Sequence, residues 1–293
     1  MTENPQRRGV IVGVDGSASS DAAVEWATKD AALHDDPLTL VHVAAPVTAT
    51  LPKVLHTGDF RRWQESERRA ILDDAAMIAE KTAPYDTPRI ERRMLIGAAV
   101  PSLVDASRDA RLVVVGRHGR GRLRHVLGSV GSGLTHHAHG PVVVVDDEYP
   151  LLPDCAFAPV LVGVDGSPIS EAATAIAFDA ASRRGVGLIA LLACLDWSGD
   201  GFPFDERSAL ESEGHEVLAE RLAGWQEIYP DVTVQRVVVA ERAAEHLVEE
   251  STHAQLVVVG SHGFGGFTGM LLGSVSTAVL RSTRTPVLIA RHA

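Results

Sequence analysis

Two glycine-rich stretches carry the residue types that could hold a phosphate. In the C-terminal half, Gly260-Ser261-His262-Gly263 is followed after nine residues by Gly273-Ser274, which opens a helix-length segment. Glycines let backbone N–H groups approach an anion, and a helix start adds unpaired donors and the positive end of the macrodipole. Each dipole interaction is modest, about 0.3 to 1 kcal/mol, so several donors must converge. Ser274 can add a hydroxyl. In the N-terminal half, Gly116-Arg117-His118-Gly119 leads to Gly128-Ser129 across eight residues. One such loop is weak evidence; its duplication beside a duplicated Val-Asp-Gly-Ser makes the signal strong.

The duplication runs along the whole chain. VIVGVDGS from Val10 returns as VLVGVDGS from Val160, and LVVVGRHGRG from Leu112 returns as LVVVGSHGFG from Leu256. Asp15 and Asp165 are 150 residues apart, Gly116 and Gly260 144, so the middle of the second copy is shorter. A period of this size fits one globular domain rather than a solenoid repeat. Two tandem domains, 1–150 and 151–293, are expected, with the boundary in the proline-interrupted stretch YPLLPDCAFAP.

The elements that must position these residues are legible as apolar runs. In the first half, 10–14, 38–43, 89–95, 112–115 and 142–145 read as strands, and 19–33, 60–82, 100–110 and 130–138 as helices. Runs such as LVVVG and PVVVV do not alternate, which marks strands covered on both faces. Each half is therefore expected to be α/β: a doubly wound, Rossmann-like module with a five-stranded parallel sheet, helices on both faces and right-handed crossovers. Such sheets bind ligands beyond the carboxyl ends of their strands, where strand order reverses. That rule selects Asp15 and Gly116.

With these residues in place, the chain resembles the universal stress protein family in its tandem, ATP-binding form, whose nucleotide motif is G-x2-G-x9-G-[ST]. The resemblance implies an adenine nucleotide alpha hydrolase-like fold and ATP as the ligand, with or without magnesium. It implies that the first-strand Asp and its neighbours hold the adenosine end, residues after the second strand line the base, and the glycine loop holds the phosphates. Carried over by position, the second site comprises Asp165, Ala193, Gly260, Gly263, Gly273, Ser274 and Ser276. The first comprises Asp15, Val43, Gly116, Gly119, Gly128, Ser129 and Gly131. The resemblance also implies that the halves pair through their apolar closing strands and that two chains associate as a homodimer.

The copies differ. The first loop is one residue short of the motif, a change that either shifts the helix start by about 1.5 Å or is absorbed in the loop. It contains Arg117, Arg120, Arg122 and Arg124, whereas SHGFGGFTGM in the second copy has no Lys or Arg. Arginine suits oxyanions because its donors bind bidentately. Site one is thus expected to rely on arginine, and site two on backbone donors and a nucleotide-bound divalent ion.

Simpler roles stand beside these. Asp15 and Asp165 could shape the turn instead of touching ligand, and Ser17 and Ser167 are expected to cap the following helices. His118 and His262, at the same loop position in both copies, border the phosphates or face solvent. His136, His137 and His139 read as a polar helix end rather than a metal cluster, since Arg281, Ser282 and Arg284 replace them in the second copy.

Composition bounds the remaining classes. A net charge of -11 argues against nucleic acid as a partner. Cys155 and Cys194 have no counterparts in the other copy, so neither a disulfide framework nor a zinc site is expected. MTENPQRRG runs into a strand without an apolar leader, and no apolar stretch approaches the ~20 residues of a membrane span. A cytoplasmic protein is expected. The chain has no GxxxxGK[ST], SGGxDS or GxSxG. A nucleotide-dependent stress-response regulator is expected; slow ATP hydrolysis and a dimerising stress protein without nucleotide are the alternatives.

Overall fold

The non-alternating valine runs form buried parallel strands in each half of the chain. The computed structural model describes residues 9–45, 58–83, 85–121, 127–148, 157–194, 204–263 and 272–291, and it divides into Met1–Asp147 and Glu148–Ala293. The first unit contains β1 (Val10–Gly13), α1 (Ala18–His34), β2 (Leu38–Ala44), α2 (Gly58–Thr82), β3 (Ile90–Ile96), α3 (Ala99–Ala106), β4 (Leu112–Gly116), α4 (Ser129–His137) and β5 (Val142–Val145). Its strands pair in parallel in the order β3-β2-β1-β4-β5. Val12 faces Leu40 on one side and Val114 on the other. Strand order reverses between β1 and β4, which opens a crevice above their carboxyl ends.

The second unit repeats the plan with β6 (Val160–Val164), α5 (Pro168–Arg184), β7 (Leu188–Ala193), α6 (Phe204–Ile228), β8 (Val234–Val239), α7 (Ala243–Glu250), β9 (Leu256–Gly260), α8 (Ser274–Ser282) and β10 (Val287–Ala290). A single 3₁₀ turn, Ser251–His253, follows α7. The strand order is β8-β7-β6-β9-β10, again parallel.

Burial explains the sequence pattern. All four residues of β5 are fully buried, with α1 and α4 both packed against the strand. The outer strand β3 instead exposes Arg92 and Arg93, charges that discourage pairing along its open edge. Helix α1 lies close to the sheet through Ala22, Ala23, Ala27 and Ala31, all buried. It ends on Asp35 at φ 53°, whose N–H returns to Ala31 and Ala32. In the second unit, Phe178 of α5 stacks on Trp225 and Tyr229 of α6, with ring centroids 6.3 and 5.9 Å away.

Most expected boundaries lie within two residues of those found, but the helix expected over 100–110 stops at Ala106. Ser107 ends it: its N–H bonds to both Leu103 and Val104 carbonyls, and its hydroxyl donates to Val104 O at 2.6 Å. The hydroxyl also accepts from His139 N, which ties the helix end to the segment after α4.

The two units differ in charge. The first holds 18 Lys and Arg against 19 Asp and Glu, the second 9 against 19. Nearly all of the net negative charge of the protein therefore belongs to the second unit.

Candidate functional site

Each crevice begins with the turn that leaves the first strand. Gly16 and Gly166 have φ of +76° and +84°, a conformation side chains resist, so the turn is reserved for glycine. Asp15 Oδ1 accepts from Ser17 N at 3.0 Å, and Asp165 Oδ1 from Ser167 N at 2.8 Å. The serines in turn cap α1 and α5, their hydroxyls accepting from Ser20 N and Ser170 N at 3.2 Å. The capping expectation for Ser17 and Ser167 holds. For the aspartates, one carboxylate oxygen shapes the turn while the other turns toward the glycine loop.

That second oxygen explains why the loop needs glycine. A Cβ built on Gly263 would lie 2.1 Å from Asp165 Oδ2, and one on Gly119 would lie 3.0 Å from Asp15 Oδ2. Asp15 Oδ2 also accepts from Arg120 N at 3.3 Å. The aspartate and the loop backbone are thus in contact before any ligand arrives.

The far ends of the loops are pinned alike. Gly128 N donates to Arg117 O at 2.8 Å, and Gly273 N to Ser261 O at 2.7 Å. The two loops, one residue different in length, thus carry the same backbone anchor ahead of their helices. Gly128 and Gly273 are the N-caps of α4 and α8 and supply no side-chain cap. Ser129 and Ser274 are the first helical residues, both exposed. Each helix start thus presents amides and a hydroxyl at the mouth of a crevice, an arrangement suited to an anion.

In the first unit the crevice is a cleft with about 590 Å³ of atom-free space, part of it open to solvent. All seven residues expected there (Asp15, Val43, Gly116, Gly119, Gly128, Ser129 and Gly131) line it. Sequence reasoning missed Val41, Ala99 and Leu103, which supply an apolar wall. Val41 was findable, since it shares a strand face with Val43. Ala99 and Leu103 lie on α3 and enter only through the fold.

In the second unit, Ala193 ends β7 and is half-buried, as Val43 is near the end of β2. Ser276 is buried and its hydroxyl donates to Gly260 O at 2.6 Å, so this side chain locks α8 onto the end of β9. Gly131 takes its place in the first unit.

A sequence profile described as the Universal stress protein family matches residues 6–146 and 156–291, one copy per unit. The chain belongs to the universal stress protein family. Two universal stress proteins of Mycobacterium tuberculosis are 50% and 49% identical to it over 294 residues; the alignments cover 100% of this chain and 100% and 99% of theirs. Among solved structures, a universal stress protein from Archaeoglobus fulgidus is similar with a TM-score of 0.72 at 19% identity, covering 97% of this chain and 98% of that one.

The arginines of this universal stress protein do not all serve as expected. Arg117 is turned inward, 5% exposed, with Nε 2.7 Å from Asp146 Oδ2. Burial pulls its guanidinium below the usual range, opposed by Asp146 and Asp147. It is corrected from a phosphate ligand to a buried ion-pair partner. Arg120 contributes a backbone amide, while its exposed side chain lies 3.8 Å from Glu67. Arg122 and Arg124, like Cys155, lie outside the described residues. His118 lines the cleft, and its carbonyl accepts from Ser17 Oγ at 3.2 Å. His136 is engaged with its own helix, its Nδ1–H donating to Ser132 O at 2.6 Å. Among the described residues, no helix is long and apolar enough to cross a membrane.

Proposed function

We propose that this universal stress protein binds an adenine nucleotide, ATP, in the crevice of each unit and acts as a nucleotide-dependent regulator. The observation that carries the reading is convergence: residues from the ends of β1, β2 and β4 and from the start of α4 meet in one cleft of the first unit. One end offers the apolar wall of Val41, Val43 and Leu103, suited to a base. The other offers the glycine loop and the open helix start, suited to phosphates.

Regulation rather than turnover follows from the aspartate. Both oxygens of Asp15 already accept backbone N–H groups of the turn and the glycine loop, so the carboxylate is held in the structure rather than poised over a substrate. The protein is taken to work in the cytoplasm as a homodimer, with the charge of -11 steering it away from nucleic acid.

Denaturing the purified protein and identifying any released nucleotide tests the ligand. A thermal shift on adding ATP tests the binding, because a ligand of the folded state at 100 times its Kd adds about 2.7 kcal/mol. Absence of both would replace this reading with that of a stress protein without nucleotide.

A further inference from the structure

Building on that nucleotide reading, we propose that the Arg117–Asp146 ion pair is a positioning device for the phosphate loop of the first unit. Arg117 occupies a crossing point. Its N–H donates to Val145 O at 2.7 Å, and its carbonyl accepts the N–H of Gly128, the cap residue of α4, at 2.8 Å. One residue therefore ties the start of the loop both to the end of β5 and to the helix whose open amides face the cleft.

The side chains close the same corner. Nε of Arg117 lies 2.7 Å from Asp146 Oδ2, with side chains 6% and 10% exposed. The next residue, Asp147, accepts from Ser19 Oγ of α1 at 3.0 Å. The two charges attract across this short distance in a buried corner, which holds the Arg117 side chain beneath the loop.

The second unit provides an internal comparison. Ser261 and Arg291 stand at the positions of Arg117 and Asp146, and the same backbone bonds form: Ser261 N to Ala290 O at 2.9 Å and Gly273 N to Ser261 O at 2.7 Å. A loop with nine residues between its glycines closes there without the pair. The first loop has eight to span equivalent anchors, and the pair fixes the corner from which it departs. Arg117 thus acts on the phosphates through the loop backbone, not by touching them.

The test uses the full chain carrying Gly263→Val, so that only the first unit titrates, and measures ATP and adenosine affinity by calorimetry. Asp146→Asn is expected to weaken ATP binding about tenfold and leave adenosine unchanged, the scale seen when a supporting contact is lost. Arg117→Ser should do the same. If Arg117 touched phosphate directly, releasing it from Asp146 would strengthen ATP binding; a gain, or no change, overturns the proposal. The double variant Arg117→Ser/Asp146→Asn removes both charges of the pair and should show the same ATP-selective loss. Equal losses for adenosine and ATP in it would mean a damaged fold and also overturn the positioning role. No binding of either ligand before Arg117 or Asp146 is altered would instead overturn the nucleotide reading itself.

Discussion

The carboxylate of Asp165 lies against the backbone of Gly263, so close that a Cβ there would sit 2.1 Å from Oδ2. The corresponding distance from Gly119 to Asp15 is 3.0 Å. The first strand and the glycine loop therefore meet through one aspartate and one glycine in each unit, more tightly in the second.

This contact ranks two substitutions. Gly263→Ala should abolish nucleotide binding in the second unit, because the loop must retreat from Asp165 to admit the methyl group. Gly119→Ala should weaken the first site by a smaller factor, since a few tenths of an ångström suffice there. ATP titration of the two full-length variants measures the difference. Equal losses would show that the contact does not govern the cradle.

The turn itself sets a stability effect. Ser17→Ala and Ser167→Ala each remove a helix cap and should cost about 1 kcal/mol in denaturant unfolding. Asp15→Asn keeps an oxygen for Ser17 N and should cost less than Asp15→Ala, while both remove the charge facing the loop. An Asn variant as destabilised as the Ala variant would show that the charge, not the turn, holds the structure.

Ion pairs should divide by burial. Arg111 reaches Asp30 at 2.7 Å and also contacts Asp36, and the Asp30 side chain is only 5% exposed. Arg111→Ala leaves a buried charge and should destabilise by about 3 kcal/mol. The Arg69–Glu65 pair is 69% and 57% exposed, so Arg69→Ala should change stability by no more than about 0.5 kcal/mol. Urea unfolding of both variants compares them.

Much of this was readable from residues alone, and the exceptions share a cause. The strands were legible because Val142–Val145 and Leu112–Gly116 are covered on both faces and so lose their alternation. The glycine loops were legible because each pairs two spaced glycines with a Gly-Ser helix start and recurs in both halves. The direction of the Arg117 side chain was not. Its partner follows the next strand, and only the parallel register that sets Gly116 beside Val145 brings the two together. Nothing local separates an arginine that points into a cradle from one that points beneath it. Ser276 is similar: its hydroxyl finds Gly260 O only once α8 has docked.

Asp21 gives a pH prediction. Burial, then Asp15, Asp74 and Glu25, raise its carboxyl above the ordinary value of 3.8. The folded state therefore holds this proton more tightly than the unfolded chain. Asp21 costs stability at neutral pH, and the cost is relieved as pH falls through the raised value toward 3.8. Asp21→Asn should melt at a higher temperature than wild type at pH 7, with the gap closing toward pH 4. A gap independent of pH would sink this assignment.

The charge difference between units predicts unequal metal dependence. With 9 basic against 19 acidic residues, the second unit repels a nucleotide anion more than the first, with 18 against 19. Magnesium should strengthen ATP binding in a Gly119→Val chain, where only the second site remains, more than in a Gly263→Val chain. Equal enhancement would remove charge as the cause.

One adenine-nucleotide site per unit is tested most directly by the stoichiometry of ATP binding to the full chain. Calorimetric titration should show two ATP per chain in wild type and one in the Gly263→Val variant. A wild-type chain that takes up no ATP, or a variant whose stoichiometry is unchanged, would contradict it.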